Sequence, residues 1–356
     1  MTAWSAEQSL SSVALPPSPH SSGRVIQASL ATLRKHLGMD VAFLGRFYAG
    51  RRWFEFVDSD SSFCPVQAGA SDPLEESYCA RVVDGRLPQL VRDATKEPEV
   101  ADLPVTVELP VGAHLSVPLR RASGKVLGTL CCFSHEPDPT LRERDLQLVR
   151  MFADLVSVHM EALLEHDESI ESSRADVLDV LENGGPMMAM QPVVDLATEQ
   201  VVGYEALARF SGRPAWSPQR WFAEAARAGL GPQVERSAIA SALRLLSRLP
   251  DNTAMAANVS VATLLHPALM DMLTGRADAR RLVVELTEHV KVESYEATVR
   301  PLARLREAGA GIAVDDAGSG YAGLEHILQL QPEVLKLDRQ LAHMLSKRRG
   351  LPHIVG

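Results

Sequence analysis

The chain has 356 residues, of which 46% are hydrophobic and 23% are charged, so it is long enough for two folded units and too apolar for wholesale disorder. Its formal net charge of −9 excludes the broadly positive surface of a protein that binds a phosphate backbone, but allows a small charged ligand held by a metal. No apolar run is long enough to span a bilayer, and the N-terminus lacks a signal-peptide pattern. The four cysteines show no metal-ligand spacing, which indicates a reduced, cytoplasmic protein.

The first part of the chain is predicted to be an α+β domain behind a tail. Residues 1–23 are rich in Ser and Pro and show no period, which is typical of a disordered tail. Apolar residues at helical spacing then predict a helix over 24–37. Two pairs of strand-like runs follow, each pair flanking a turn or loop: 41–48 with 53–58, and 114–119 with 126–133. A helix at one end and antiparallel strands in the middle indicate an α+β domain.

A long helix is predicted to close this domain. Apolar residues between Leu146 and Leu163 keep to one face of it. The polar stretch Glu165–Asp176 prolongs the helix as a connector, and the sequence Asn-Gly-Gly-Pro at 183–186 ends it. We therefore expect a helical linker over 166–186 and a domain boundary near residue 186.

The remaining part, 187–356, alternates short apolar runs with helical patterns. Six runs read as strands: 188–196, 201–207, 255–260, 282–287, 311–316 and 333–338. Four helical patterns lie between them: 221–249, 261–273, 294–308 and 321–330. Strands alternating with helices predict a parallel α/β fold, and this number of units favours a (β/α) barrel of the TIM type. An open doubly wound sheet is the alternative, but no Gly-rich phosphate loop follows 201–207.

Polar and charged side chains lie near the ends of five of these runs. They are Glu205, Asn258, Glu285, the pair Asp315 and Asp316, and Lys336. In a barrel the C-terminal strand ends surround one mouth, so we expect these side chains to meet there. Clustered carboxylates need cations to stay ionised, and oxygen ligands favour Mg²⁺ or Mn²⁺, with Ca²⁺ possible. Two such ions suit hydrolysis of a phosphodiester.

Each of these residues also has a simpler interpretation when it is taken alone. Glu-Ala-Leu at 205–207 is three common helix formers, and Asp315 with Asp316 could belong to a turn before Gly318. Asn258 could end a strand or cap a helix, and Lys336 could be an ordinary surface lysine. Their order and spacing together favour the functional interpretation.

Five motifs in this order carry a resemblance. They are Gln191–Leu196 with Gly203–Arg209, then Asn258–Ser260, Glu285–Glu288, Asp315–Tyr321 and Lys336–Arg339. They resemble the EAL family of cyclic di-GMP phosphodiesterases. The resemblance implies a TIM-type barrel that linearises this bacterial second messenger to pGpG with two Mg²⁺ or Mn²⁺ ions.

The same resemblance implies a role for each matching residue. Lys336 would orient the nucleophilic water, and Glu288 would brace the loop after Asp316. Gln191 and Arg209 would contact the substrate, since a guanidinium suits a phosphate oxygen. The metal ligands would be Glu205, Asn258, Glu285, Asp315 and Asp316.

The first domain, 24–165, resembles the GAF family of sensory modules. The motifs that carry this likeness are Pro73–Cys79, Asp93-Ala94, Val117–Leu119 and Gly128–Cys131. They do not indicate a ligand. Cys79 could anchor a ligand or chromophore, but a buried small apolar residue is the favoured interpretation, and Cys131 and Cys132 should face opposite sides of a strand. We expect the long helix to carry GAF regulation to the EAL domain within a homodimer that associates with neither nucleic acid nor membrane.

Two departures from the EAL pattern affect the expected activity. Ala317 stands where the family carries a Phe. In addition, 187–356 comprises fewer residues than the ~200 or more of a (β/α)₈ barrel, so an incomplete barrel of about six of eight strands is predicted. Either the chain is a fragment of a longer protein or it is a degenerate form that cannot close its barrel. For the degenerate form, the alternative function is a catalytically degenerate module that binds cyclic di-GMP or a protein partner. A weaker third hypothesis is that only GAF ligand binding survives.

Overall fold

The computed structural model of the protein describes residues 18–60, 64, 66–103, 105–106, 109–212, 214–287, 295–317 and 329–337. The chain divides into two units, Met1–Glu168 and Ser169–Gly356, each with its own packed interior. None of the described helices combines the length and the apolar composition that a bilayer crossing requires.

The first unit is built on an antiparallel sheet of six strands in the order β3-β2-β1-β6-β5-β4. The hairpin between β1 and β2 turns on Ala49 and Gly50, both with positive φ, which matches the twist of a two-residue hairpin. The four predicted strands of this unit are confirmed to within two residues. The strands are β1 Val41–Tyr48, β2 Arg51–Ser59, β3 Ser71–Pro73, β4 Leu90–Val91, β5 Ala113–Arg120 and β6 Val126–Ser134.

Both faces of this sheet are covered by apolar cores. One core contains Ile26, Leu30 and Leu33 of helix α1 (Pro19–Leu37) together with Cys132. The other contains residues of helix α2 (Tyr78–Val83) and Cys131. The two adjacent cysteines therefore face opposite sides, as predicted. Helix α1 begins at Pro19 rather than Arg24, because the Ser18 side chain caps it and Pro19 is favourable in a first turn.

Helix α3 spans Glu143–Glu182, a length of 40 residues. Its first part packs into the core of the first unit through residues such as Val149, Val156 and Met160. Its last turns belong to the second unit, where Val177 and Val180 pack in a cluster with Trp221. The helix ends before Gly184 and Gly185, which both have positive φ.

The second unit contains a six-stranded sheet in the order β12-β11-β10-β9-β8-β7. From β8 to β12 neighbouring strands are parallel, whereas β7 is antiparallel to β8. The short connection 195–200 allows only a hairpin here, because a parallel pair needs a crossover of a dozen residues or more. The strands are β7 Met187–Val194, β8 Val201–Arg209, β9 Ala254–Val259, β10 Leu282–Thr287, β11 Gly311–Ala317 and β12 Val334–Leu337.

Helices follow or connect these strands as the sequence predicts, with more interruptions. The pattern 221–249 forms two helices because Gly229 breaks it with a positive φ, and the pattern 261–273 also forms two. Most of the predicted helix 321–330 lies outside the described residues. The helices are α4 Pro218–Arg227, α5 Gly231–Leu246, α6 Val261–Leu264, α7 Pro267–Thr274 and α8 Tyr295–Glu307. The structure therefore contains an α+β unit followed by an α/β unit, which confirms the predicted fold class.

Candidate active site

Strand alternation places the candidate residues on one face of the second sheet. On β8, Ala206 packs into the helix-covered core, so the adjacent Glu205 points to the opposite face. On β10, Val284 and Leu286 join the same core, which turns Glu285 the other way. Asn258 on β9 and Asp315 on β11 alternate with core residues in the same manner.

The ammonium group of Lys336 lies among three carboxylates. Its Nζ atom lies 3.0 Å from Oε2 of Glu205, 3.0 Å from Oε2 of Glu285 and 3.4 Å from Oδ2 of Asp315. The Glu285 side chain is almost completely buried, whereas the other three are partly exposed. Three acidic side chains from distant parts of the sequence thus converge on one point.

Two amide residues stand beside this cluster. The Nδ2 group of Asn258 donates a hydrogen bond to Oε1 of Glu205 over 3.2 Å. Asn258 is also the register partner of Glu285 on the neighbouring strand. Gln191 is the register partner of Glu205 across the β7–β8 hairpin and is exposed.

Burial and like charge act together on Glu285. Burial raises the pKa of its carboxyl group, the negative charge of Glu205 raises it further, and Lys336 only partly offsets both, so that the pKa is about 7. Although burial lowers the pKa of Lys336, hydrogen bonds and charge from Glu285 and Glu205 raise it above its usual value. The cluster therefore carries more negative charge than its single ammonium group neutralises.

A cavity of about 600 Å³ lies next to these residues. Its polar side includes Glu205, Arg209, Asn258 and Asp315. The Arg209 guanidinium is exposed and donates to the carbonyl oxygen of Ala208 over 2.9 Å. Apolar residues of the helices form another side, among them Phe222 and Ile239. The cavity thus combines apolar walls with a few polar groups, which is usual for a ligand site.

The position of Glu205 differs from the prediction. The run 201–207 placed it near the end of a strand, but β8 continues to Arg209, so Glu205 lies in the middle of β8. Pairing with β7 along its whole length extends β8 beyond the apolar run. Glu205 still belongs to the cluster, because it contacts both Lys336 and Asn258.

Two predicted site residues cannot be placed in full. Glu288 lies outside the described residues. Asp316 belongs to β11, but its side chain lies outside the described part of the chain.

One residue near the cavity was not predicted from the sequence. Glu235 of α5 lines the cavity, and its Oε2 atom accepts a hydrogen bond from the backbone N–H of Ser260 over 2.8 Å. The Ser260 hydroxyl in turn caps α6. Glu235 thereby fixes the backbone two residues after Asn258. Its place in a helical pattern gave no signal, since this contact exists only after α5 packs beside β9.

Divalent ions fit the chemistry of these donors. The carboxylates of Glu205, Glu285 and Asp315 supply only oxygen ligands, which Mg²⁺, Mn²⁺ and Ca²⁺ prefer. No group of three His, Cys, Asp or Glu side chains within the described ranges already stands in metal-binding geometry. The ammonium group of Lys336 contacts all three of these carboxylates.

Comparisons with known proteins identify the family of each part of the chain. The EAL domain model matches residues 174–355, about half of the chain, and the GAF domain model matches residues 23–160. The chain is 29% identical over 196 residues to the probable cyclic di-GMP phosphodiesterase PdeB of Escherichia coli strain K12, a match that covers 52% of this chain and 38% of PdeB.

Two further similarities are of the same kind. The probable cyclic di-GMP phosphodiesterase PdeI of Escherichia coli strain K12 is 29% identical over 203 residues, which covers 53% of this chain and 26% of PdeI. The FimX EAL domain of Xanthomonas citri, solved in complex with c-diGMP, is 22% identical with a TM-score of 0.45, covering 52% of this chain and 76% of that one. The chain spans well under half the length of the two Escherichia coli relatives. On the strength of the family match, the chain belongs to the EAL domain family and carries a GAF domain ahead of its EAL domain.

Proposed function

We propose that the chain is a signalling phosphodiesterase that hydrolyses cyclic di-GMP to pGpG. The observation that carries this proposal is the convergence of Glu205, Glu285 and Asp315 on one point beside a cavity. Relatives of the matched half are named probable cyclic di-GMP phosphodiesterases, which supports the same reaction. Hydrolysis of a phosphodiester needs a site that accepts divalent cations and a phosphate-binding group, and this cavity offers residues for both.

The proposed metal ligands are Glu205, Asn258, Glu285, Asp315 and Asp316. When bound, two Mg²⁺ or Mn²⁺ ions supply charge neutralisation and an activated water molecule for in-line attack on phosphorus. The excess negative charge of the cluster favours divalent over monovalent cations, because one ammonium group leaves it incompletely neutralised.

The chain's own residues then bind and orient the substrate. Arg209, at the rim of the cavity, is suited to a phosphate oxygen because its guanidinium can donate two parallel hydrogen bonds. Gln191, beside Glu205, can donate to the substrate from the neighbouring strand. Lys336 holds a proton at all physiological pH values and can orient the attacking water by hydrogen bonding. Glu288 is proposed to brace the loop that follows Asp316.

Substitution of Glu205 tests this function. We expect the full chain with Mg²⁺ or Mn²⁺ to convert cyclic di-GMP to pGpG, and Glu205→Ala to reduce the rate by at least about 100-fold, the upper end of the loss seen for groups that support a metal. Glu199→Ala, which removes an exposed carboxylate from the β7–β8 connection, is the matched control and should keep wild-type activity. Equal rates of pGpG formation for the wild type and Glu205→Ala would refute the proposal.

Ala317 favours a second function. In this alternative the domain binds cyclic di-GMP or a protein partner without hydrolysis, because Ala317 cannot make the contacts that the family's Phe makes in the loop after the paired aspartates. Isothermal titration calorimetry distinguishes the two functions. Saturable binding of cyclic di-GMP without pGpG formation supports the alternative, and absence of both binding and turnover contradicts both.

The proposed enzyme is a cytoplasmic homodimer regulated by its GAF domain. Met151, Leu155 and Val158 lie on α3 at helical spacing and are 70%, 47% and 57% exposed, so they form an apolar stripe that a second copy of the helix can cover. We expect Leu155→Glu with Val158→Glu to halve the mass measured by light scattering. The control Glu171→Ala, at an exposed position of the same helix, should leave the mass unchanged.

A further inference from the structure

Two cysteine thiols of the GAF domain lie against each other in its interior. Cys79 is the second residue of α2 and Cys131 lies on β6, and both side chains are fully buried. Their Sγ atoms are 3.3 Å apart. A disulfide needs about 2.05 Å, so the two sulfurs are in contact and must approach each other further for a bond to form.

The surroundings of the two sulfurs are asymmetric. Arg52 donates a hydrogen bond from Nη1 to Sγ of Cys79 over 3.0 Å. Ser116 and Thr129, by contrast, surround Cys131 with neutral hydroxyl groups at 3.1 and 3.2 Å. A cation that donates to one sulfur stabilises the thiolate form of that sulfur. Cys79 is therefore the nucleophile of the pair, and Cys131 is the thiol that keeps its proton.

The pKa shifts of the two thiols follow from these contacts and from burial. Although burial raises the pKa of Cys79, hydrogen bonding from Cys131 and the charge of Arg52 lower it to about 6. Burial is also the largest cause of the high pKa of Cys131, and the neighbouring Cys79 raises it further. One thiolate beside one protonated thiol is the arrangement in which a sulfenic acid is rapidly resolved to a disulfide.

A line of polar groups connects the buried pair with the surface. Arg52 is buried with its guanidinium over the rings of Phe43 and Phe54, and its Nε donates to Oδ1 of Asp72 over 3.0 Å. The Asp72 side chain is 32% exposed. Helix α2, which holds Cys79, has six residues, and most of them are buried. Because both sulfurs are fully buried, a small oxidant must reach Cys79 during local opening of the GAF domain.

We propose that Cys79 and Cys131 form a redox-active dithiol that a hydroperoxide converts to a disulfide. The Cys79 thiolate attacks one peroxide oxygen, the O–O bond breaks, and the departing oxygen takes up a proton and leaves as water or an alcohol. The Cys131 sulfur then attacks the sulfur of the resulting sulfenic acid and loses its proton, while the S–O bond breaks and hydroxide leaves as water. The two thiols are oxidised by two electrons, and the peroxide is reduced by two.

The experiment uses the reduced full chain and hydrogen peroxide as the probe. After oxidation the remaining thiols are alkylated, and the protein is digested without reductant by trypsin and a protease that cleaves after Glu. Cleavage after Glu75 and Glu76 separates Cys64 from Cys79, which trypsin alone leaves in one peptide. We expect loss of two of the four thiols, a cross-linked peptide pair that joins Cys79 to the 131–132 peptide, and full reversal by dithiothreitol.

Matched variants identify the partner of Cys79. Cys131→Ser should abolish the cross-link and leave a sulfenic acid at Cys79 that dimedone labels. Cys132→Ser, which alters the adjacent and equally buried thiol on the opposite face, should give the wild-type cross-link. Even where a variant folds poorly, the wild-type digest shows whether peroxide joins Cys79 to the 131–132 peptide.

Three results would overturn the proposal. The first is that Cys79 is recovered as a free thiol after peroxide has oxidised Cys64. The second is a disulfide that involves Cys64 or that joins Cys131 to Cys132. The third is that the Cys79 cross-link persists in Cys131→Ser. The outcome is independent of phosphodiesterase activity, since the dithiol lies in the GAF domain.

Discussion

At the candidate site, the carboxylates of Glu205, Glu285 and Asp315 lie close together and repel one another. Lys336 offsets part of this repulsion, since its ammonium group contacts all three carboxylates. The almost complete burial of Glu285 makes its charge the most costly of the three. The stability of this part of the chain therefore depends on a cation at this point, supplied either by Lys336 or by a metal.

Replacement of Lys336 by Met tests this dependence. We expect Lys336→Met in EDTA to lower the free energy of unfolding by about 1–3 kcal/mol, the cost of leaving charged groups unsatisfied. Millimolar Mg²⁺ should recover part of the loss, because it neutralises the same carboxylates. Denaturant unfolding measures both values, and Arg248→Ala, which removes an exposed cation from the same unit, is the control. Equal losses in the two variants would contradict this role of Lys336.

His114 links stability to pH in the GAF domain. Burial, helped by the charge of Arg52, lowers its pKa to about 3, and within the described chain its Nδ1 atom has no hydrogen-bond partner. Because the folded-state pKa lies below the ordinary value of about 6.5, the unfolded state takes up the proton first as pH falls. The part of the free energy of unfolding that depends on neutral His114 is thus fully present above pH 6.5. It is lost as the pH falls from about 6.5 to 3.

Replacement of His114 by Phe should remove this loss. We expect the free energy of unfolding of His114→Phe to fall less steeply between pH 6.5 and 4 than that of the wild type, by up to about 1.4 kcal/mol per pH unit. The exposed His135, changed to Gln, is the control and should keep the wild-type slope. Parallel curves for His114→Phe and the wild type would show that His114 does not titrate in this way.

Among the elements, the end of α3 and helix α4 are held together by aromatic packing. Trp221 of α4 is almost completely buried. Its ring stacks on that of Phe210 with 5.2 Å between the ring centroids, and its centroid lies 4.9 Å from that of Trp216. Val177 and Val180 of α3 belong to the same cluster. Within the described residues, the buried Nε1 group of Trp221 has no hydrogen-bond partner. Its stabilising contribution is therefore the apolar surface of the ring.

Two substitutions at Trp221 separate packing from polarity. Trp221→Ala should lower the free energy of unfolding by about 3–5 kcal/mol, because it leaves a cavity in this cluster. Trp221→Phe should cost much less, since it keeps a ring and removes an unsatisfied donor. Chemical denaturation followed by circular dichroism measures both, and similar losses for the two variants would mean that the indole nitrogen has a role of its own.

At the scale of the whole molecule, the two units have separate apolar interiors. Leu130 lies in the core between the first sheet, α1 and α3, and Leu264 lies in the core of the second unit, and both are fully buried. We expect Leu130→Ala and Leu264→Ala each to destabilise its own unit by about 2–5 kcal/mol. Because the residues share no partners, the effects should be additive in the double variant. Hydrogen exchange read by mass spectrometry assigns each loss to a unit, and loss of protection in both units from one substitution would contradict the division.

The sequence by itself determined most of the helices and strands of both units and the order of the candidate residues, because strand and helix periodicity depend on near neighbours in the chain. It did not predict the short elements α2, β3 and β4. It predicted Glu205, Asn258, Glu285, Asp315 and Lys336 as one set but misplaced Glu205 within its strand and missed the hairpin of β7 and β8. Only the tertiary structure decided that Lys336 lies between the carboxylates, that Glu235 holds the backbone at Ser260, and that Cys79 lies against Cys131. These contacts join residues far apart in sequence, and their distances depend on register, strand stagger and side-chain packing, which no local pattern encodes.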